Sequence, residues 1–481
     1  MEKSFYFYDL ETTGLSPRES RIMQFAGQRT DSNLKPIGDP DNFLIKQTED
    51  ILPSPDAVLV TGITPQKTLD EGITEDEFIK IFNSEISKPG TIFVGYNNLS
   101  FDDEFMRFLL FRNFNDPYEW QYKDERSKWD MLDVIRITRA LRPDGIKWPT
   151  DKDNKPTNKL ELLAAENNIL HTSAHDALSD VEALIGLSQL IKDKQPKLFN
   201  YLLTVRDKRN VADIVLNSEK FIYTSGNNPS EHEKTIITCA LEGGSTNQGV
   251  LIYNLNVDPD KFSEMTDEEL LKSFEYDKDN DDNMRLNNVV KPLQFNRCPA
   301  VAPISVIHED DLARLKLDMK SIENNFQKLN SNPELVARIV KAKNKYDSNR
   351  TWGDSPRIDS ADAKLYDGFI GDADKREMMK VHREDFNFEN MPDFNDDRLK
   401  KIFPLYIARN FPQYMTEDIN SQWDRHRTEY FYSGNEESRA AIYYKRIGEL
   451  MLNPELDENK RYLLEELKLW AEAIMPVDSD I

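Results

Sequence analysis

The sequence predicts an α/β domain followed by a small β-rich domain and then an α-helical one, with expected spans 1–196, 197–350 and 351–481. Strand-like and helix-like runs alternate up to Gln195-Pro196, strand-like runs dominate the middle, and helical periods fill the last part. In the first domain, strands are expected from Phe5 to Leu10, Ile22 to Arg29 and Thr91 to Tyr96. Helices are expected from about Asp103 to Asn113, from Trp129 to Leu141 and, after a loop at Asp151 to Pro156, from Leu160 to Asn167. A last amphipathic helix carries Ala177, Leu178, Val181, Leu184, Ile185, Ser188 and Ile191 on one stripe.

The middle domain is expected to contain strands at Phe221 to Ser225, Thr235 to Leu241, Gly249 to Leu255 and Ala300 to Val306. An acidic segment from Asp277 to Asn283 mimics the start of a calcium loop with Asp277, Asp279 and Asp281. Asp282 stands where the turn glycine is required and Asn288 where the closing glutamate is, so the segment reads as a solvated loop. Helical patterns then run from Arg398 to Arg409, Glu437 to Leu452 and Lys460 to Ile474, the first expected to be broken or bounded by Pro404 and Pro412.

The 481 residues carry a formal net charge of −24. Taken alone, this argues against a nucleic-acid partner, because phosphate binding usually leaves a basic footprint. Carboxylates gathered around a metal count as negative in that tally, however, although bound divalent cations reverse the local field. No apolar run is long enough to span a bilayer and no signal peptide is evident, so no membrane partner is expected. Cys239 and Cys298 offer neither a disulfide framework nor a zinc cluster; a monomer in the reducing cytoplasm is expected.

Three clusters carry chemistry. Asp9 and Glu11 stand two apart at the end of the first strand, so the period of two puts both side chains on one face, where they can share a metal. Asn97-Asn98-Leu99-Ser100-Phe101-Asp102 follows the third strand and places Asp102 where that strand gives way to a helix, a position that a role of Asp102 or Asp103 as helix N-cap or first-turn acid would also explain. Ala174-His175-Asp176-Ala177-Leu178-Ser179-Asp180 opens the last helix, with Asp180 able to point toward the sheet edge bearing the first pair.

In this order the clusters resemble the DnaQ-like superfamily of 3′-to-5′ exonucleases, in its subgroup with a histidine five residues before the last aspartate. Thr61-Gly62-Ile63-Thr64 is similar to a segment that lies beside the terminal nucleotide in that superfamily. Runs from Gly95 to Glu104, Ala140 to Trp148, Leu365 to Asp372 and Ala408 to Pro412 extend the resemblance, over nearly the whole chain, to the bacterial exonuclease I family. The resemblance implies an RNase H-like nuclease domain, an SH3-like β domain and a helical C-terminal domain around a channel for one DNA strand. It implies 3′-to-5′ hydrolysis of single-stranded DNA to 5′-mononucleotides, in repair and recombination.

Two Mg2+ ions, with Mn2+ able to substitute, suit an all-carboxylate site. Asp9 is expected to bridge them, Glu11 and Asp102 to complete the shell, and Asp180 to hold the ion near the attacking water. His175 is expected to act as general base. The resemblance further implies strand contacts from Glu11, Thr12, Arg107, Tyr118, Tyr122 and Lys159, the last standing where better-known members carry arginine, and docking of the single-stranded-DNA-binding protein's C-terminal tail at Arg142 and Tyr201. The acidic motif by itself leaves two alternatives: a ribonuclease or small-oligonucleotide nuclease, and a DNA-binding protein that keeps the fold without the chemistry.

Overall fold

The computed structural model describes residues 3–171, 176–275, 285–349, 360–433 and 438–476; the calcium-like segment and His175 lie outside them. The chain divides into two units: Met1–Ser127, His171–Leu184 and Arg357–Ile481 form the first, Lys128–Leu170 and Ile185–Pro356 the second.

In the first unit, four aromatic residues, Phe5 to Tyr8, follow one another in β1 (Ser4–Thr12), which suits a strand buried on both faces. Tyr6, Tyr8 and Leu10 enter a core with Phe25, Phe78, Phe82 and Phe93, which leaves Asp9 and Glu11 on the opposite face. β1 pairs antiparallel with β2 (Ile22–Thr30), and β2 pairs antiparallel with β3 (Asp41–Leu44). On its other side β1 pairs parallel with β4 (Thr91–Gly95), giving the order β3-β2-β1-β4.

The register of β1 against β2 slips between Glu11, opposite Gln24, and Thr12, opposite Ile22. Such an irregularity re-aims side chains at a strand's end, here where Glu11 stands. After β4 the chain turns sharply: a Cβ on Gly95 would lie 2.5 Å from that of Asn98, and Asn97 takes a left-handed conformation. The helix Asp102–Arg112 begins after this turn.

The same unit contains the C-terminal helices Asp372–Val381, Asp397–Asn410, Glu417–Tyr432, Arg439–Met451 and Glu458–Ile474. They pack on the helix Asp102–Arg112 and the residues after it through Phe108, Phe111 and Phe114, which share one cluster with Leu399, Phe403 and Tyr406. Pro404 does not break its helix as expected; it sits inside Asp397–Asn410, where its ring joins the buried face, and only Pro412 bounds the segment.

The second unit opens within β5 (Ser127–Asp130), a strand where the sequence suggested helix from Trp129. Asp130 accepts a hydrogen bond from the Leu132 N–H, so capping delays the helix to Met131–Leu141. The unit's own sheet holds β6 (Phe221–Thr224), β7 (Thr235–Thr246), β8 (Gly249–Asn254), β9 (Val290–Gln294) and β10 (Ala300–Pro303) in the antiparallel order β10-β6-β7-β8-β9. Val205, Val211, Phe221, Val250, Ile252 and Val301 form its core. Among the described residues, no helix is long and apolar enough to cross a membrane.

Candidate active site

Asp9 and Glu11 project from the end of β1, and Asp180 comes from the first turn of the helix Ala177–Lys194. One carboxylate oxygen from each lies within 4.8 Å of the others. Asp102 adds charge from the start of its own helix. It is 3% exposed, and its field is the largest electrostatic influence on Asp9 after burial itself.

What aims Asp102 is its neighbour. Asp103 is fully buried, accepts a hydrogen bond from the Tyr8 hydroxyl at 2.5 Å and from the Asn98 amide at 3.1 Å, and is also bonded to Gln121. Phe101, not an aspartate, occupies the N-cap, while Asp102 and Asp103 both stand in the helix's first turn, where acids are favourable in any case. Asp103 thus ties the helix start to β1 through Tyr8, and Asp102 is left beside Asp9.

The electrostatics follow from crowding. Burial, then Asp102, Asp180, Glu11 and Asp176, push the Asp9 carboxyl well above its ordinary range. Burial, then Asp180, Asp102 and Asp176, push Glu11 up to about 8. Like charges this close oppose ionisation unless a cation joins them. The donors are all carboxylate oxygens, a set that suits a hard divalent ion such as Mg2+ or Mn2+ and offers nothing to a soft one.

Two neighbours of the acids were not among the expected site residues. His171 Nε2 lies 2.6 Å from Asp180 Oδ1, across nine positions of sequence. Asp176 Oδ1 accepts from the Gln24 amide at 3.0 Å, and Gln24 stands opposite Glu11 on β2. A second histidine ahead of the last aspartate was the one available hint of His171.

A cavity of about 970 Å³ adjoins the acids, with Glu11, Thr12, Leu15, Val60 and Ile442 in its walls. Leu15, Val60 and Ile442 are 86%, 54% and 47% exposed, an apolar surface of the kind that receives a flat base. Thr61 lines it too: the helix Pro55–Thr61 ends on Gly62 in a left-handed conformation, and Thr64 caps the next helix, Pro65–Glu71. The Thr12 hydroxyl donates to the Gly14 carbonyl at 2.8 Å.

The other expected contacts divide by unit. In the first, the Arg107 guanidinium is held by Glu104 at 2.5 Å and by Gln121 at 2.8 Å, and lies 5.5 Å from the centre of the Tyr118 ring. Tyr118 and Tyr122 are 37% and 62% exposed. In the second, Lys159 is an exposed residue 3.7 Å from Glu161, Arg142 donates to the Val306 carbonyl at 2.8 Å, and the Tyr201 hydroxyl donates to the Val301 carbonyl at 3.1 Å.

Comparison with known proteins matches three family models along the chain: Exonuclease over residues 6–187, Exonuclease I SH3-like domain over 206–345 and Exonuclease I C-terminal domain over 359–474. Exodeoxyribonuclease I of Haemophilus influenzae is 36% identical over 434 residues, covering 88% of this chain and 90% of that protein. The structure of Escherichia coli exonuclease I in complex with a dA16 oligonucleotide superposes with a TM-score of 0.90 at 33% identity, covering 98% of this chain and 100% of that one. A structure of SSB/exonuclease I in complex with the inhibitor CFAM superposes with a TM-score of 0.86 at 32% identity, covering 99% and 100%. With matches spanning all three parts of the sequence, the chain belongs to the exodeoxyribonuclease I family.

Proposed function

We propose that this chain hydrolyses single-stranded DNA from its 3′ end in a divalent-metal-dependent reaction and releases 5′-mononucleotides. The observation that carries this reading is the convergence of Asp9, Glu11 and Asp180, under the field of Asp102, beside an apolar cavity. The oligonucleotide held by the E. coli relative supports DNA as the substrate.

When bound, paired Mg2+ or Mn2+ ions supply charge stabilisation at the phosphate and a water made acidic enough to attack at neutral pH. Asp9, Glu11, Asp102 and Asp180 would hold them, with Asp9 as the ligand common to both. His175 takes the proton of the attacking water, as a group that titrates near neutrality can. Tyr118 and Tyr122 offer ring faces to bases, Arg107 holds Tyr118 in place, and Lys159 offers a phosphate-binding charge without the bidentate fork of arginine. Glu11 and Thr12 line the cavity that receives the terminal nucleotide.

The relative solved with SSB supports binding of that protein; in this reading its C-terminal tail docks at Arg142 and Tyr201. A monomer acting in the cytoplasm, in repair and recombination, completes the reading.

The test is digestion of a 5′-end-labelled single strand, with duplex and RNA of the same sequence as controls, in Mg2+ and in chelator. A ladder shortening from the 3′ end, only on single-stranded DNA and only with metal, is expected. Undiminished cleavage in chelator, or RNA degraded as fast as DNA, would reject the reading.

A further inference from the structure

Beside the catalytic cavity the first unit holds another of about 610 Å³, and the two share Glu19, Tyr430 and Arg439 in their walls. That partition is tied together: Arg439 forms an ion pair with Glu19 and lies 4.3 Å from the centre of the Tyr430 ring.

Two features of the second cavity point to a ligand. Arg21 and Asp362, both lining it and both less than a tenth exposed, pair at 2.9 Å, yet among the described residues Arg21 Nε and Asp362 Oδ1 have no hydrogen-bond partner. Buried polar atoms are seldom left in that condition, and a ligand offering both an acceptor and a donor completes them. The walls are also basic, in a chain of net charge −24. Arg18, Lys401 and Arg425 line the cavity without an ion pair among the described residues; of the acids there, only Glu429 is likewise unpaired. Asp50 is already held by Arg409 at 2.6 Å and His426 at 3.3 Å. Arg18 and Arg425, together with Lys401, whose charge also bears on Asp397, outnumber the one unpaired acid and favour a compact dianion over a singly charged phosphodiester.

We propose that this cavity is a second anion site, for the phosphate monoester of a nucleoside 5′-monophosphate. Arg18, Lys401 and Arg425 take the phosphate, while Arg21 Nε and Asp362 Oδ1 meet an acceptor and a donor of the nucleoside. Such a molecule is the product of the reaction proposed above, generated across the Glu19–Arg439 partition, and the proposal rests on that reading. Its consequence is a waiting place for product outside the catalytic cavity.

The test is calorimetric titration of the full chain, stripped of divalent metal, with thymidine 5′-monophosphate, inorganic phosphate and an unphosphorylated thymidine trinucleotide. The monophosphate is expected to bind with a dissociation constant of about 1 mM or tighter, phosphate more weakly, and the trinucleotide weakest. The double variant Lys401→Glu/Arg425→Glu should weaken the monophosphate by at least about tenfold. It should also weaken inhibition by added monophosphate in Mg2+, with the initial digestion rate unchanged. The milder Arg18→Ala serves if that variant does not fold.

No saturable binding of the monophosphate, equal affinity in the variants, phosphate binding as tightly as the nucleotide, or the trinucleotide binding as tightly would each overturn the assignment. Because the titrations contain no metal, they are decided independently of catalysis. A chain that binds the monophosphate here but digests no DNA sinks the catalytic reading alone.

Discussion

Asp9 is held among four other carboxylates, so its charge stabilises nothing in the metal-free protein. Asp9→Asn should therefore abolish metal-dependent digestion and still raise the melting temperature in chelator, by about 1–3 °C, because one member of a repelling cluster is gone. Differential scanning calorimetry with and without chelator reads this; a lower melting temperature would mean that Asp9 is structurally paired. His171, bonded to Asp180, acts through that partner. His171→Ala should cost about 10- to 100-fold in the metal concentration needed for half-maximal activity, and His171→Asn should restore part of it, since an amide can still donate. An unchanged metal dependence would leave His171 no positioning role. His175→Ala, in contrast, should lower turnover by about 10²- to 10⁴-fold at saturating metal and leave strand binding intact in filter-binding assays. Full turnover in that variant would remove the general base. The strand period and the motif order made the aspartates and Glu11 legible as a group. Asp176 and His171 were not, because their bonds to Gln24 and Asp180 are tertiary contacts, which spacing along the chain does not encode.

A buried hydrogen bond from Tyr8 to Asp103 couples β1 to the helix that carries Asp102. Burial and the charges of Asp103 and Asp102 push the Tyr8 hydroxyl well above its ordinary pKa, so it stays a donor. Tyr8→Phe removes that donor and leaves Asp103 buried with fewer partners, a loss of about 1–3 kcal/mol in stability. The helix start should loosen, and kcat should fall without a matching change in strand affinity. Urea unfolding beside steady-state kinetics would show it; a destabilised enzyme of normal kcat would separate the tie from catalysis. Elements were legible where one periodicity ruled, as along β1 and the helix Ala177–Lys194. They were obscured where a local rule yielded to packing. Pro292 hides β9 because proline disfavours strands, yet β9 lies at the sheet's edge, where a missing N–H costs no pairing. Trp129 fits a helical stripe by spacing, but the Asp130 cap ends one element and starts the next.

At the scale of the molecule, sequence spacing said least about how distant segments share one interior. Arg21 follows the first strand and Asp362 and Arg409 belong to the C-terminal part, yet Arg409 reaches both Asp362 and Asp50 at 2.6 Å in the interior of the first unit. Nothing in the local pattern of any of these residues announces a partner more than three hundred positions away. The network gives the fold a definite acid sensitivity. Burial alone would raise the Asp362 carboxyl, but Arg409 and Arg21 outweigh it and hold it down at about 2; the same partnership with Arg409 keeps Asp50 well below its usual range. A carboxyl whose pKa is depressed on folding contributes stability above its unfolded value, about 3.9, and loses it as pH falls toward the folded value. For Asp362 that contribution is about 2–3 kcal/mol, fully present at pH 7 and lost between about pH 5 and pH 2. The midpoint of urea unfolding, followed in metal chelator, should therefore fall steeply below about pH 5. Asp362→Asn should unfold about 3–5 kcal/mol more easily at pH 7, because Arg21 loses its partner while buried, and should show a shallower acid decline than the parent. If the variant kept the parent's acid slope, Asp362 would not be the group whose protonation loosens the joint between the nuclease core and the C-terminal helices.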